Sequence, residues 1–91
     1  MKRDKNCRAL ESLAEFTSFN LDLWKDIEPN CESYIDFAIK SRVVAKCIYD
    51  SSCKSHDVEK SLRKFDLAHR DICEYLVFDL GADNPESWSK K

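Results

Sequence analysis

Ninety-one residues, 43% of them hydrophobic and 35% charged, fit one small globular domain and exclude a disordered chain, which would be poor in aromatic and apolar residues. Fifteen basic against seventeen acidic side chains leave a formal charge of −2, which excludes a global field drawing the chain onto nucleic acid or anionic lipid. A single glycine and two prolines exclude glycine-rich phosphate cradles and imply helices joined by little loop.

The charged start, residues 1–6, leads into no apolar h-region, and no stretch approaches the roughly 18 apolar residues of a membrane span. Ala9, Leu10, Leu13, Ala14, Phe16, Leu21, Leu23, Trp24 and Ile27 fall on one broad half of a cylinder at helical period. That spacing predicts a first helix from about Asn6 to Ile27. Thr17, Ser18 and Asn20 favour turns, and Phe19 points off the stripe, so the same stretch could instead be two shorter helices. Pro29 ends the segment, and Asn30 is a suitable N-cap for the next.

A second helix is expected from about Cys31 to Asp50. Tyr34, Phe37, Ala38, Val44, Ala45, Ile48 and Tyr49 share a wide face, while Ile35, Ile39, Val43 and Cys47 form another row among the charges. A helix apolar on two sides is either central in its bundle or faces a partner. Residues 43–49 also carry the β-branched and aromatic content of a strand, but no turn signal or partner strand lies nearby. Residues 50–55 read as the connection, with Ser55 or Asp57 capping a third helix. In that helix Val58, Leu62, Phe65, Ala68, Ile72, Tyr75 and Leu76 keep the helical period, and Gly81 stands where a terminal glycine would close the last turn. Leu67 and Phe78 lie on its back. The expected fold is therefore all-α, an antiparallel bundle of three or four helices over residues 1–81, followed by a polar tail over 82–91 in which Trp88 either pins the tail to the bundle or stays exposed.

Several patterns bear on chemistry. Cys53, His56, His69 and Cys73 have ligand types and spacing similar to a zinc finger. On one continuous helix, however, His56 and His69 would stand roughly 20 Å apart, too far for one metal ion. Arg63 and His69 in the run Arg63-Lys64-Phe65-Asp66-Leu67-Ala68-His69 resemble the arginine-spacer-histidine signature of the HEPN ribonucleases, a resemblance of seven residues that implies phosphate stabilisation by the arginine and proton transfer by the histidine. The alternative for His69 is a hydrogen-bonded core histidine. Nucleotide-binding, serine-hydrolase, metalloprotease and calcium-loop motifs are absent, so no enzyme activity, cofactor or metal is expected.

Seven cations in residues 40–64 (Lys40, Arg42, Lys46, Lys54, Lys60, Arg63, Lys64) stand against three anions, a solvated rim or a phosphate-contacting surface. Asp22, Asp26, Glu28, Glu32 and Asp36 form an acidic rim that could dock a basic protein. Five cysteines, an odd number, imply reduced thiols and a cytoplasmic protein.

The surplus apolar surface predicts a binding protein: an adaptor, inhibitor or regulator contacting another protein through Trp24, Tyr34, Ile35, Ile39, Val43, Leu67, Phe78 and Trp88, or associating with itself. The competing expectation is a nucleic-acid-facing protein, either a binder using residues 40–64 or a ribonuclease using Arg63 and His69.

Overall fold

A computed structural model describes residues 5–27 and 30–88. Glu28 and the proposed helix terminator Pro29 lie outside the described residues, as do the chain start and residues 89–91. Among the described residues there are helices and no strand: α1 over Lys5–Trp24, α2 over Cys31–Asp50, α3 over His56–Glu74 and the four-residue α4 over Pro85–Trp88. The run from Val43 to Tyr49 lies wholly within α2.

Local chemistry sets the helix ends. Asn30 Oδ1 accepts the Ser33 N–H at 3.2 Å, and Ser55 Oγ accepts the Val58 N–H at 3.3 Å, so α2 and α3 each begin on a capped first turn. At the end of α2, Ser51 and Ser52 donate their hydroxyls to the carbonyls of Ile48 and Tyr49, satisfying acceptors the helix leaves open. The third helix does not stop at Glu74. It widens into a π-helical turn over Tyr75–Asp79, and Gly81, at φ +74°, lets the chain reverse so that the Ala82 N–H reaches the Leu76 carbonyl at 2.8 Å.

Successive helices run antiparallel, which leaves α1 and α3 parallel. Glu11 Oε2 accepts from Ser61 Oγ and Lys64 Nζ near one end, while the Tyr75 hydroxyl reaches the Trp24 carbonyl near the other. Small side chains allow these two helices their extensive contact: Ala14 and Thr17 on α1, Ser61 and Ala68 on α3, all buried.

The core divides into two clusters. One gathers Cys7, Leu10, Ala14, Ala45, Val58 and Phe65; the other gathers Leu21, Trp24, Tyr34, Ala38, Ile72, Leu76 and Trp88. The fully buried Thr17 donates its hydroxyl to the Leu13 carbonyl at 2.7 Å, and the buried Ser41 donates to Ala38, so each polar group keeps a partner inside the core. Thr17 therefore belongs to one unbroken α1 and makes no turn, because its hydroxyl is satisfied within the helix.

Three readings from the sequence are decided here, the first being that Val44, placed above on the wide apolar face of α2, is exposed. Phe16, Leu23 and Ile27, placed above on the buried stripe of α1, are exposed, because α3 packs against the Leu10–Ala14–Thr17–Leu21 side and leaves the adjacent strip uncovered. The polar tail is held as far as Trp88, which is only 8% exposed and sits in the second cluster.

Candidate functional site

Sequence reasoning named eight contact residues, and the structure separates them into three groups. Trp24 and Tyr34 are buried and stack on each other, with ring centroids 4.0 Å apart and planes 14° from parallel, while Phe37 meets Trp24 edge-on. These two aromatics hold the α1–α2 corner together, and most of their surface is spent on the chain's own core. Leu67 and Phe78 are exposed on the outer side of α3 and its π-helical turn, Phe78 at 78%. The remaining four, Ile35, Ile39, Val43 and Trp88, converge.

They converge where α4 crosses α2. Asn84 caps the short helix, accepting the Glu86 N–H on its side chain and the Ser87 N–H and hydroxyl on its carbonyl. Pro85 occupies the first helical position, where a missing N–H costs nothing. This turn swings Trp88 inward against Ile35 and Ile39. An open cleft of about 460 Å³ remains beside it, with Ile39, Val43, Pro85 and Trp88 as apolar lining and Arg42, Lys46, Glu86 and His69 as polar lining. On the far side of Ile39 and Trp88 a second hollow of about 500 Å³ is edged by Glu32, Asp36 and Asp83.

Electrostatics distinguish the two sides. Arg42 and Lys46, one helical turn apart on α2, have no ion-pair partner among the described residues. Other cations of residues 40–64 are engaged elsewhere: Lys40 pairs with Asp36 at 2.9 Å, Lys64 with Glu11 at 3.2 Å, and Lys54 lies 5.6 Å from the Tyr49 ring centre. The basic segment is thus dispersed over several faces, and Arg42 and Lys46 are the two of its cations that flank the α2–α4 cleft. Of the acidic rim, Asp36 is held by Lys40, and Glu28 lies outside the described residues.

His69 borders the cleft from below. Its Nε2 donates to the Ala38 carbonyl at 2.9 Å, and its Nδ1 receives the Cys73 thiol at 3.6 Å, so both ring nitrogens are used in joining α3 to α2 and to its own next turn. Burial pulls the imidazole below its ordinary pKa, with the Arg42 charge acting in the same direction against the Ala38 hydrogen bond and Asp66. Burial likewise pushes the Cys73 thiol up, holding it protonated as the donor. Arg63 takes no part in this arrangement. Six positions on a helix turn through about 240°, and Arg63 is exposed on another side of α3. Nor are Cys53 and His56 brought to His69 and Cys73, since α3 runs unbroken between them. No group of three or more potential metal ligands forms among the described residues.

Arg42 and Lys46 are the functional candidates that sequence reasoning left among seven similar cations. Only the position of α4 singles them out, and the available signal was their shared helical face with Ile39 and Val43. Comparison with protein-family models, with curated proteins and with solved structures finds no match to this chain.

Proposed function

We propose that this protein acts by binding another protein, as an adaptor, inhibitor or regulator, and that the α2–α4 cleft is the contact. One observation carries the reading: two cations with no ion-pair partner among the described residues stand beside an apolar cleft lined by a docked tryptophan. Such a site suits an acidic segment that lays an apolar side chain between Ile39, Val43 and Trp88 and sets a carboxylate on Arg42 and Lys46. A planar guanidinium able to bond a carboxylate in two places, beside a point-charge ammonium one turn away, would fix the orientation of that segment.

No helix is long and apolar enough to cross a membrane among the described residues, and all five cysteines are free thiols. These features support a reading in which the protein works in the reducing cytoplasm.

The test uses the intact chain as bait in the cell that makes it. Arg42→Glu with Lys46→Glu, both at exposed positions, is expected to abolish capture of the partner while the helical circular dichroism spectrum is unchanged. A nucleic-acid role gives a different result: DNA or RNA would bind with a steep loss of affinity as salt rises, through phosphate contacts. Binding of that kind, with no protein captured, overturns the proposal.

A further inference from the structure

We infer that the open seam between α1 and α3 docks a basic amphipathic helix of a further partner protein. α2 packs against both of these helices. Along their seam, however, two hollows of about 490 and 420 Å³ adjoin at Ser18 and Asp22, and no residue of α2 borders either. Together they form one groove. It runs about 16 Å along α1 from Glu11 to Asp22, the length of three helical turns, and continues onto the π-helical turn, which contributes Tyr75, Phe78 and Asp79. Single π-helical turns at the end of an α-helix occur often at functional sites.

Charge identifies the occupant. Six carboxylates and two ammonium groups line the groove, a local charge of −4 on a chain whose formal total is −2. Three of the carboxylates are engaged within the chain: Lys64 holds Glu11 at 3.2 Å, and Arg70 reaches Glu74 at 3.5 Å and Asp71 at 4.0 Å. Lys25 is turned over the Tyr75 ring, 6.0 Å from its centre. Glu15, Asp22 and Asp79 are exposed and have no ion-pair partner among the described residues. These three are strung along the groove, and no group of three or more potential metal ligands forms among the described residues, so they suit a row of cations better than one metal ion. The same sign of charge disfavours nucleic acid and anionic lipid.

Apolar anchors stand between the charges. Phe19 borders the groove on α1 and Phe78 on the π-helical turn, both exposed, and the exposed Leu67 lies between Lys64 and Asp71 on one helical row of α3. A helix that sets aliphatic side chains on these three and places flanking lysine or arginine on Glu15, Asp22 and Asp79 satisfies both features. A second copy of this chain offers no such helix, because the cations of residues 40–64 are dispersed over several faces and the pair on one face, Arg42 and Lys46, lines the α2–α4 cleft. The groove and that cleft have no residue in common, so the inference stands or falls separately from the proposed function.

Titration of the full chain with a fluorescent synthetic helix of about 14 leucine and lysine residues, the leucines at helical period, tests it. Saturable binding is expected in the micromolar range, weakening as salt rises. Asp22→Lys with Asp79→Lys should lower the affinity about tenfold or more. Phe78→Ala should lower it several-fold and leave the salt dependence as it was. Asp50→Lys with Asp66→Lys makes the same change of net charge beside a different hollow, on the α2 side, and should keep the affinity within about threefold. All five positions are exposed, so each variant should retain the helical circular dichroism spectrum. The inference is overturned if the helix does not bind, if it binds undiminished after Asp22 and Asp79 are reversed, or if the two charge-reversed pairs weaken it equally. A peptide of the same composition with its leucines out of period that binds as tightly overturns it too, as does a wild-type dimer in sedimentation equilibrium that Phe78→Ala dissolves, since the occupant would then be a second copy.

Discussion

Trp88 is buried to all but 8% of its surface, yet its indole Nε1 has no hydrogen-bond partner among the described residues. Two substitutions there should therefore act in opposite directions. A tryptophan side chain buries roughly 200–250 Å², a gross contribution of about 5–6 kcal/mol at about 25 cal/mol per Å². Leaving a buried donor unmade costs about 1–3 kcal/mol. Trp88→Ala removes both and should destabilise the fold by about 3 kcal/mol, at the low end of the range for aromatic truncations. Trp88→Phe gives up about 50 Å², or roughly 1 kcal/mol, but also removes the orphaned donor. It should be neutral or stabilising, by up to about 2 kcal/mol. Urea unfolding followed by far-UV circular dichroism measures both, with Trp24 remaining as an internal fluorophore in each variant. A Trp88→Phe protein more than about 1.5 kcal/mol less stable than wild type would show that the indole N–H is satisfied in solution, and the reasoning would fail. A Trp88→Ala protein within about 0.5 kcal/mol of wild type would show that α4 contributes nothing to the core.

Other expectations follow from the same contacts. The His69 imidazole is held below its ordinary pKa near 6.5, so above that pH it is neutral folded or unfolded; as pH falls further, the unfolded chain takes up a proton the folded one resists, and stability declines until the folded value is passed. His69→Gln keeps a donor for Ala38 and should flatten that part of the stability profile; an unchanged slope would contradict the assignment. Thiol alkylation read by mass spectrometry should modify the exposed Cys47 and Cys53 first, the half-buried Cys31 and Cys73 later, and the buried Cys7 last. Equal rates at Cys7 and Cys47 would contradict the packing of the first core cluster. Asn30→Ala and Ser55→Ala should each cost about 1 kcal/mol by removing a cap, a fall in Tm of roughly 4–8 °C.

How much could be read from the chain follows the range of the forces involved. The starts of α2 and α3 were legible because Asn30 and Ser55 act on N–H groups three residues away. Gly81 was legible because a left-handed turn favours glycine. The buried face of α3 followed from period alone, since Val58, Phe65, Ala68, Ile72 and Leu76 all face inward. On α1 the same argument misled, because two adjacent apolar strips share one half of the cylinder, and only the arrival of α3 decides which is covered. Thr17 was legible as polar but not as buried; its hydroxyl is satisfied by Leu13 within its own helix, which composition does not reveal. The cleft was half legible. Ile35, Ile39 and Val43 stood out as a second row on α2, but their convergence with Arg42, Lys46 and Trp88 depends on the reversal after the π-helical turn, a long-range event.

The central claim is that the α2–α4 cleft receives an acidic partner protein. A photoreactive amino acid replacing Val43, which is exposed on the cleft wall, tests it most directly in the cell that makes the protein. Irradiation should yield a covalent adduct with one acid-rich protein segment, and Arg42→Glu with Lys46→Glu should remove it. An adduct with nucleic acid, an adduct that persists after both charges are reversed, or no adduct at all would contradict the account.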